Sequence, residues 1–220
     1  MAKLTLAIAN KNYSSWSLRA WMAMRQLAIP FEENVIPLDT PETARQIAKH
    51  SGAGRLPVLH HGDVTVWESL AILEYLAEIF PDTPMWPRSR RVRAMARAVA
   101  NEMHAGFLAL RNACPMNLRR PRKPLTGGLG SDVRANVARI EAIWRECRKL
   151  HGRGGPFLFG KFSIADAMYA PVASRFETYA IEVAPESRAY MEAIFATGSF
   201  RAWKQDAMNE EWVIPADEVD

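Results

Sequence analysis

The sequence predicts a small α/β domain followed by an all-helical one. Two observations carry this. Residues 1–80 alternate between a two-residue and a 3.6-residue apolar period, which reads as β-α-β-α-β-β-α. Beyond the proline-dense stretch Pro81–Pro87, only helical patterns of strength remain. With 49% apolar residues in 220, the chain has enough apolar side chains for a proper core. The expected boundaries are a first domain at 1–80, a linker at 81–87 and a helical domain at 88–220.

Leu4, Leu6 and Ile8 alternate with Thr5, Ala7 and Ala9, the pattern of a half-buried strand. From Ser17 to about Leu27 the spacing of Leu18, Trp21 and Met22 turns helical, and Pro30 stops it. Phe31–Pro37 reads as a second strand, and the strand-helix-strand unit implies a parallel crossover. A short helix is expected around Pro41–Lys49. Val58 to Trp67, turning at His61-Gly62-Asp63, reads as a hairpin. Leu70, Ile72, Leu73, Leu76 and Ile79 then mark a helix closed by Pro81. In the second domain helices are expected at Arg90–Leu110, Ser131–Leu150, Ser163–Phe176 and Ser187 to about Ala207, with a Pro-, Gly- and Arg-rich loop at Pro115–Gly130. Ser163-Ile164-Ala165-Asp166 has capping-box spacing with Asp in place of Glu, so Asp166 reads as a helix anchor.

The charge balance excludes little. Net charge is +4, and the Arg88–Arg97 and Arg119–Lys123 clusters come with no nucleic-acid-reading motif, so a solvated surface explains them. No apolar run approaches the ~18 residues of a membrane span. The N-terminus enters a strand pattern at once, without a signal-peptide core, and a cytoplasmic location is expected. Cys114 and Cys147 form no metal-ligand spacing, and His60-His61 lacks further ligands, so no metal is expected.

Three segments converge if the first domain folds in the order above. Asn12-Tyr13-Ser14-Ser15-Trp16-Ser17 joins a strand to a helix N-terminus, where hydroxyl donors and a positive helix end stabilise an anion such as a thiolate. Ser is also a preferred N-cap, and a helix capped by Ser17 is the alternative. Leu56-Pro57 stands directly ahead of a strand. A cis bond there would turn the Leu56 backbone outward to pair with a peptide ligand, although Pro57 also reads as a simple strand starter. Glu68-Ser69 opens a helix. Its amides and the Ser69 hydroxyl suit a carboxylate and Glu68 an ammonium, or the pair merely caps the helix. Together the three describe a site for a short, zwitterionic, thiol-bearing peptide. Trp16, Met103, Phe107 and Arg111 are candidates for a second-substrate pocket between the domains.

The ordered set Ser14-Ser15-Trp16-Ser17-Leu18-Arg19, Gly54-Arg55-Leu56-Pro57-Val58-Leu59, Glu68-Ser69-Leu70-Ala71-Ile72-Leu73-Glu74-Tyr75-Leu76 and Gly160-Lys161-Phe162-Ser163-Ile164-Ala165-Asp166 resembles the cytosolic glutathione transferases of the serine type. The zeta-like branch, which includes maleylacetoacetate isomerase, is the most similar. The resemblance implies a thioredoxin-like N-terminal domain, an all-α C-terminal domain, a homodimer and glutathione as co-substrate. It matches Ser14 to the thiolate-stabilising hydroxyl with Ser15 beside it, and Arg55 to a residue near the glycyl carboxylate. Leu56 matches the backbone partner of the cysteinyl unit, Pro57 the cis-proline, and Glu68 and Ser69 the γ-glutamyl cradle. Trp16 stands where the zeta pattern has cysteine. Arg175 matches an arginine near an acidic second substrate, and it equally reads as a structural ion-pair residue.

Overall fold

The structure, a computed structural model, describes residues 2–220. Its sheet holds β1 (Leu4–Ala9), β2 (Glu32–Ile36), β3 (Val58–His61) and β4 (Val64–Trp67) in the order β2-β1-β3-β4. β1 pairs with β2 in parallel, Ile8 opposite Val35. β1 and β3 are antiparallel, as are β3 and β4, the latter closing the expected hairpin. Helices α1 (Ser15–Gln26) and α3 (Ser69–Ile79) cover one face and α2 (Thr43–Ala48) the other. The register puts Leu4, Leu6 and Ile8 in the main core with Leu18, Met22, Ile72 and Leu73. Ala7, Ile36 and Val58 meet Ile47 of α2 in a small separate cluster, with Leu38 and Leu56 packed against it. β1 is therefore buried on both faces rather than half-buried, because helices cover both sides of a sheet built on a parallel crossover.

The helical part comprises α4 (Arg90–Ala105), α5 (Leu108–Ala113), α6 (Ser131–His151), α7 (Ile164–Thr178), α8 (Pro185–Phe195) and α9 (Gly198–Asn209). Two expected single helices are divided. The Arg90–Leu110 pattern breaks at Gly106-Phe107, where Phe107 takes φ +62°. The Ser187–Ala207 pattern breaks at Thr197, whose hydroxyl accepts from Phe200 N at 3.2 Å and caps α9. α1 starts two residues earlier than its apolar period suggests. Ser14 is the cap, accepting from Ser17 N at 3.3 Å, while the buried Ser17 hydroxyl takes the Ala9 amide at 3.0 Å.

α7 is buried on nearly every side and packs between α1 and α4. Its N-terminus is fixed by the expected capping box. Asp166 accepts from Ser163 N at 2.8 Å, Ser163 Oγ at 3.0 Å, Leu158 N at 3.0 Å and Tyr190 Oη at 3.2 Å.

The loop between β1 and α1 is held by the far end of the fold. The Glu210 carboxylate accepts the Lys11 and Asn12 amides at 2.6 and 2.9 Å, and Trp203 Nε1 donates to Lys11 O at 2.8 Å. Lys11 is buried against the Trp21 and Trp203 rings, and its ammonium reaches Glu33 at 2.8 Å and Asp206 at 2.6 Å. Tyr13 Oη donates to Glu218 and accepts from Arg119. Among the described residues no helix is long and apolar enough to cross a membrane.

Candidate functional site

A cavity of about 510 Å³ opens where β1, α1, the α2–β3 loop, α3 and α4 meet. Ser14, Trp16, Arg55, Leu56, Pro57 and Glu68 line it, so one cavity gathers residues from all three sequence-predicted segments. A cavity of about 580 Å³ near Arg88 and Arg153 gathers none of them.

Each residue has a local reason to be there. Ser14 sits at the N-terminus of α1, with its Oγ 2.8 Å from Ser17 Oγ. The Leu56–Pro57 bond is cis, and neither the N–H nor the C=O of Leu56 has a partner among the described residues. Glu68 is the N-cap of α3 at φ +71°, ψ 126°, a conformation costly for a non-glycine residue and characteristic of functional positions. Next to it the Ser69 hydroxyl is fully buried with no partner among the described residues. Arg55, at the rim, carries no ion pair among the described residues. An unpaired backbone edge, an orphaned hydroxyl at a helix N-terminus and a free cation together fit a short zwitterionic peptide such as glutathione.

Ser15 does not share this cavity. Successive helical residues point about 100° apart, and its hydroxyl accepts instead from Arg175 Nη2 at 3.1 Å. Arg175 is buried, and its Nε donates to Cys114 O at 2.8 Å. It therefore ties α1, α5 and α7 together, which corrects the expectation that it lines the second-substrate pocket. Burial lowers its pKa to about 10. Arg111 is also tied down: its Nε donates to Gly106 O at 2.9 Å and its Nη2 to Met103 O, so it caps the C-terminus of α4. Met103 and Phe107 lie in the core, and the α4 residues that face the cavity are His104 and Ala105. Trp16 does line the cavity, with its ring edge-on to His104 at 5.2 Å.

Two site features were not anticipated from sequence. His104 Nε2 lies 3.8 Å from Glu68 Oε2, and burial together with Arg19 lowers its pKa despite that carboxylate. Arg19 is fully buried beneath Trp16, its guanidinium 4.2 Å from the ring centroid, and all three of its nitrogens lack partners among the described residues. Burial lowers its pKa well below the usual arginine value, with Arg111 and Arg175 adding to the effect. An excess of positive charge therefore lies behind the cavity wall. The cysteines supply no reactive thiol there. Both are buried and free, and burial raises Cys114 to about 11 and Cys147 to about 12.

Residues 13–79 match the glutathione S-transferase N-terminal domain, and residues 119–193 the C-terminal domain. Glutathione S-transferase 1 of Dianthus caryophyllus is 30% identical over 163 residues, covering 72% of this chain and 71% of that protein. A probable maleylacetoacetate isomerase of Caenorhabditis elegans is 26% identical over 74% of this chain and 75% of its own. Among solved structures, a Burkholderia glutathione transferase homologue with bound glutathione superposes with a TM-score of 0.71 at 22% identity, covering 94% of this chain and all of that one. That likeness shows a shared fold. The two matched domains and the Dianthus relative establish that the chain belongs to the glutathione S-transferase family.

Proposed function

We propose that the chain is a glutathione-dependent transferase that ionises the glutathione thiol and directs it at an electrophilic second substrate. The observation that carries this is the single cavity shared by the Ser14 hydroxyl, the unpaired Leu56 backbone and the N-terminus of α3.

Leu56 N–H and C=O pair with the cysteinyl unit in the manner of an added strand. The α3 amides and the Ser69 hydroxyl hold the γ-glutamyl carboxylate, Glu68 accepts from its ammonium, and Arg55 meets the glycyl carboxylate. In the free chain the Ser14 hydroxyl donates to Ser17. When Ser14 turns its proton to the sulfur, the Ser17 hydroxyl donates back to Ser14 Oγ, so no buried hydroxyl is stranded. The α1 N-terminus and the uncompensated Arg19 add positive potential, which favours thiolate over thiol. Cavity walls that hold the electrophile against the sulfur supply proximity. Conjugation and peroxide reduction are the reactions expected.

Maleylacetoacetate-type isomerisation is the second reading. It rests on the distant isomerase relatives, and Arg175 is engaged elsewhere in this fold. A homodimer acting without nucleic acid or membrane, in the cytoplasm, completes the proposal. The test is calorimetric titration with glutathione, followed by turnover on a panel of electrophiles, peroxides and maleyl diacids. Absence of glutathione binding overturns the proposal. Binding without turnover on any substrate turns it into a non-catalytic glutathione-binding protein.

A further inference from the structure

The outer face of the sheet carries a hydrogen-bonded chain that the glutathione site does not use directly. Asn34 Nδ2 lies 3.1 Å from His50 Nε2, His50 Nδ1 is 3.0 Å from His60 Nε2, and His60 Nδ1 is 3.2 Å from Thr65 Oγ1. An amide nitrogen only donates, so His50 Nε2 is an acceptor. His50 then carries its proton on Nδ1 and donates to His60, which carries its own on Nδ1 and donates to Thr65. The chain crosses from β2 to β4 and takes in the residue two beyond α2.

Otherwise α2 is held mainly at its start, where Thr43 Oγ1 donates to Pro37 O at 2.7 Å and accepts from Thr40 N at 3.0 Å. It is six residues long, has no side-chain N-cap, and buries only Ile47. Yet Ile47 and the segment that follows, Gly54-Arg55-Leu56, form one wall of the cavity. Hydrogen bonds from His50 N and Ser51 N to Ile47 O, and from Ala53 N to Ser51 Oγ, run directly from the histidine into that wall.

We propose that His50 and His60 are positioning residues: their mutual hydrogen bond clasps α2 to the sheet and holds the Arg55–Leu56 wall in place for glutathione, and double protonation releases it. One added proton is accommodated if the Asn34 amide rotates and the His–His bond reverses. Two are not, because nitrogens 3.0 Å apart would both carry hydrogens on imidazolium rings. The charges on this face reinforce the effect. Lys49 stands beside His50 and acts against its protonation, whereas Lys3, just before β1, is paired with Glu32 on β2. Burial, His60 and Lys49 together lower the pKa of His50. The clasp is therefore intact above the ordinary histidine value of about 6.5 and fails as pH falls below it.

The inference rests on the glutathione reading, and the experiment separates the two. S-methylglutathione, whose sulfur does not titrate, is the ligand, and its affinity is measured from pH 7.5 to 5.0 for the parent, His60→Gln and His60→Phe. The Gln amide offers an acceptor where His60 Nε2 stood but takes no proton. The parent should weaken about tenfold on acidification and His60→Gln less than about threefold, one pKa unit of differential protonation being a factor of ten. His60→Phe should bind weakly throughout. His104 titrates in all three proteins, so the difference between profiles belongs to the clasp. Coincident parent and His60→Gln profiles overturn the inference. If no protein binds the ligand, the glutathione reading fails, and hydrogen exchange of residues 43–57 in the free protein decides the clasp alone. Acid-induced exchange in the parent that is suppressed in His60→Gln supports it, and equal exchange overturns it.

Discussion

Replacing Ser14 with alanine tests the thiolate mechanism most directly. A free thiol has a pKa of about 8.5. A hydrogen bond to a charged group contributes ~1.5–3 kcal/mol, which is about one to two pKa units. Taking two units as the share of Ser14 alone, at a pH equal to the parent's bound-thiol pKa the thiol is about half ionised with Ser14 and about 1% ionised without it, whatever α1 and Arg19 add in both proteins. Turnover at that pH should fall about 50-fold and recover as the pH rises past the free thiol value. Ser14 also caps α1, so the variant should lose roughly 1 kcal/mol of stability. The two effects separate because the thiolate is read by its ultraviolet difference spectrum against pH in the bound, folded protein. Ser17→Ala is the control. It keeps the Ser14 hydroxyl but leaves the Ala9 amide unpaired, so it should destabilise the fold by ~1–3 kcal/mol while shifting the thiol pKa less than Ser14→Ala does. Tyr13→Phe should leave the thiol pKa in place, since its hydroxyl is turned to Glu218 and Arg119. An unchanged pKa in Ser14→Ala, or a shift produced by Tyr13→Phe, would refute the reasoning.

Asp166→Asn should cost about 2–4 kcal/mol in urea denaturation, because an amide nitrogen would face donors that now converge on a carboxylate; a loss below ~0.5 kcal/mol would show that the capping box does not anchor α7. Light scattering at micromolar concentration should give the mass of a two-fold dimer with the start of α4 at its seam, and a monomer would exclude that arrangement. Isomerisation of maleylacetone should be weak in the parent and improve in Trp16→Cys. Fast isomerisation by the parent, unchanged in Trp16→Cys and lost in a folded Arg175→Ala, would establish the isomerase reading instead. Arg175→Ala should in addition destabilise the α1–α5–α7 junction by roughly 3 kcal/mol, measured by thermal melting.

The sheet and its crossover were legible because strand signals are local. Alternation at Leu4–Ala9 and the turn at Gly62, which takes φ +62°, fix those elements without help from distant residues. The start of α1 was less legible. Ser14, Ser15 and Ser17 are each acceptable caps, and the choice is made by a tertiary bond from Ala9 that no local pattern carries. The division of α4 from α5 was hidden because apolar spacing continues through Gly106 and Phe107. The three segments that share the cavity were legible because their residues lie in short contiguous motifs. The domain interface was not. An error of one position on α4 exchanges Met103 for His104, and Arg19 reads as an ordinary helix arginine until the helices that bury it are in place. Arg175 meets its Ser15 partner across 160 positions, a pairing without a sequence signature.

The pinning of Lys11 and Asn12 by Glu210 and Trp203 has a consequence for the order in which the molecule matures. The segment that sets Ser14 leaves the ribosome before the groups that hold it, which are made some two hundred residues later. Until α9 and Glu210 arrive, Lys11 lacks Asp206 and two backbone amides lack their acceptor, so the turn that carries Ser14 is unset on a nascent α/β domain. Competence therefore arrives late and all at once, and a truncation near Glu210 should be felt at Ser14 even though nothing in the cavity has been touched.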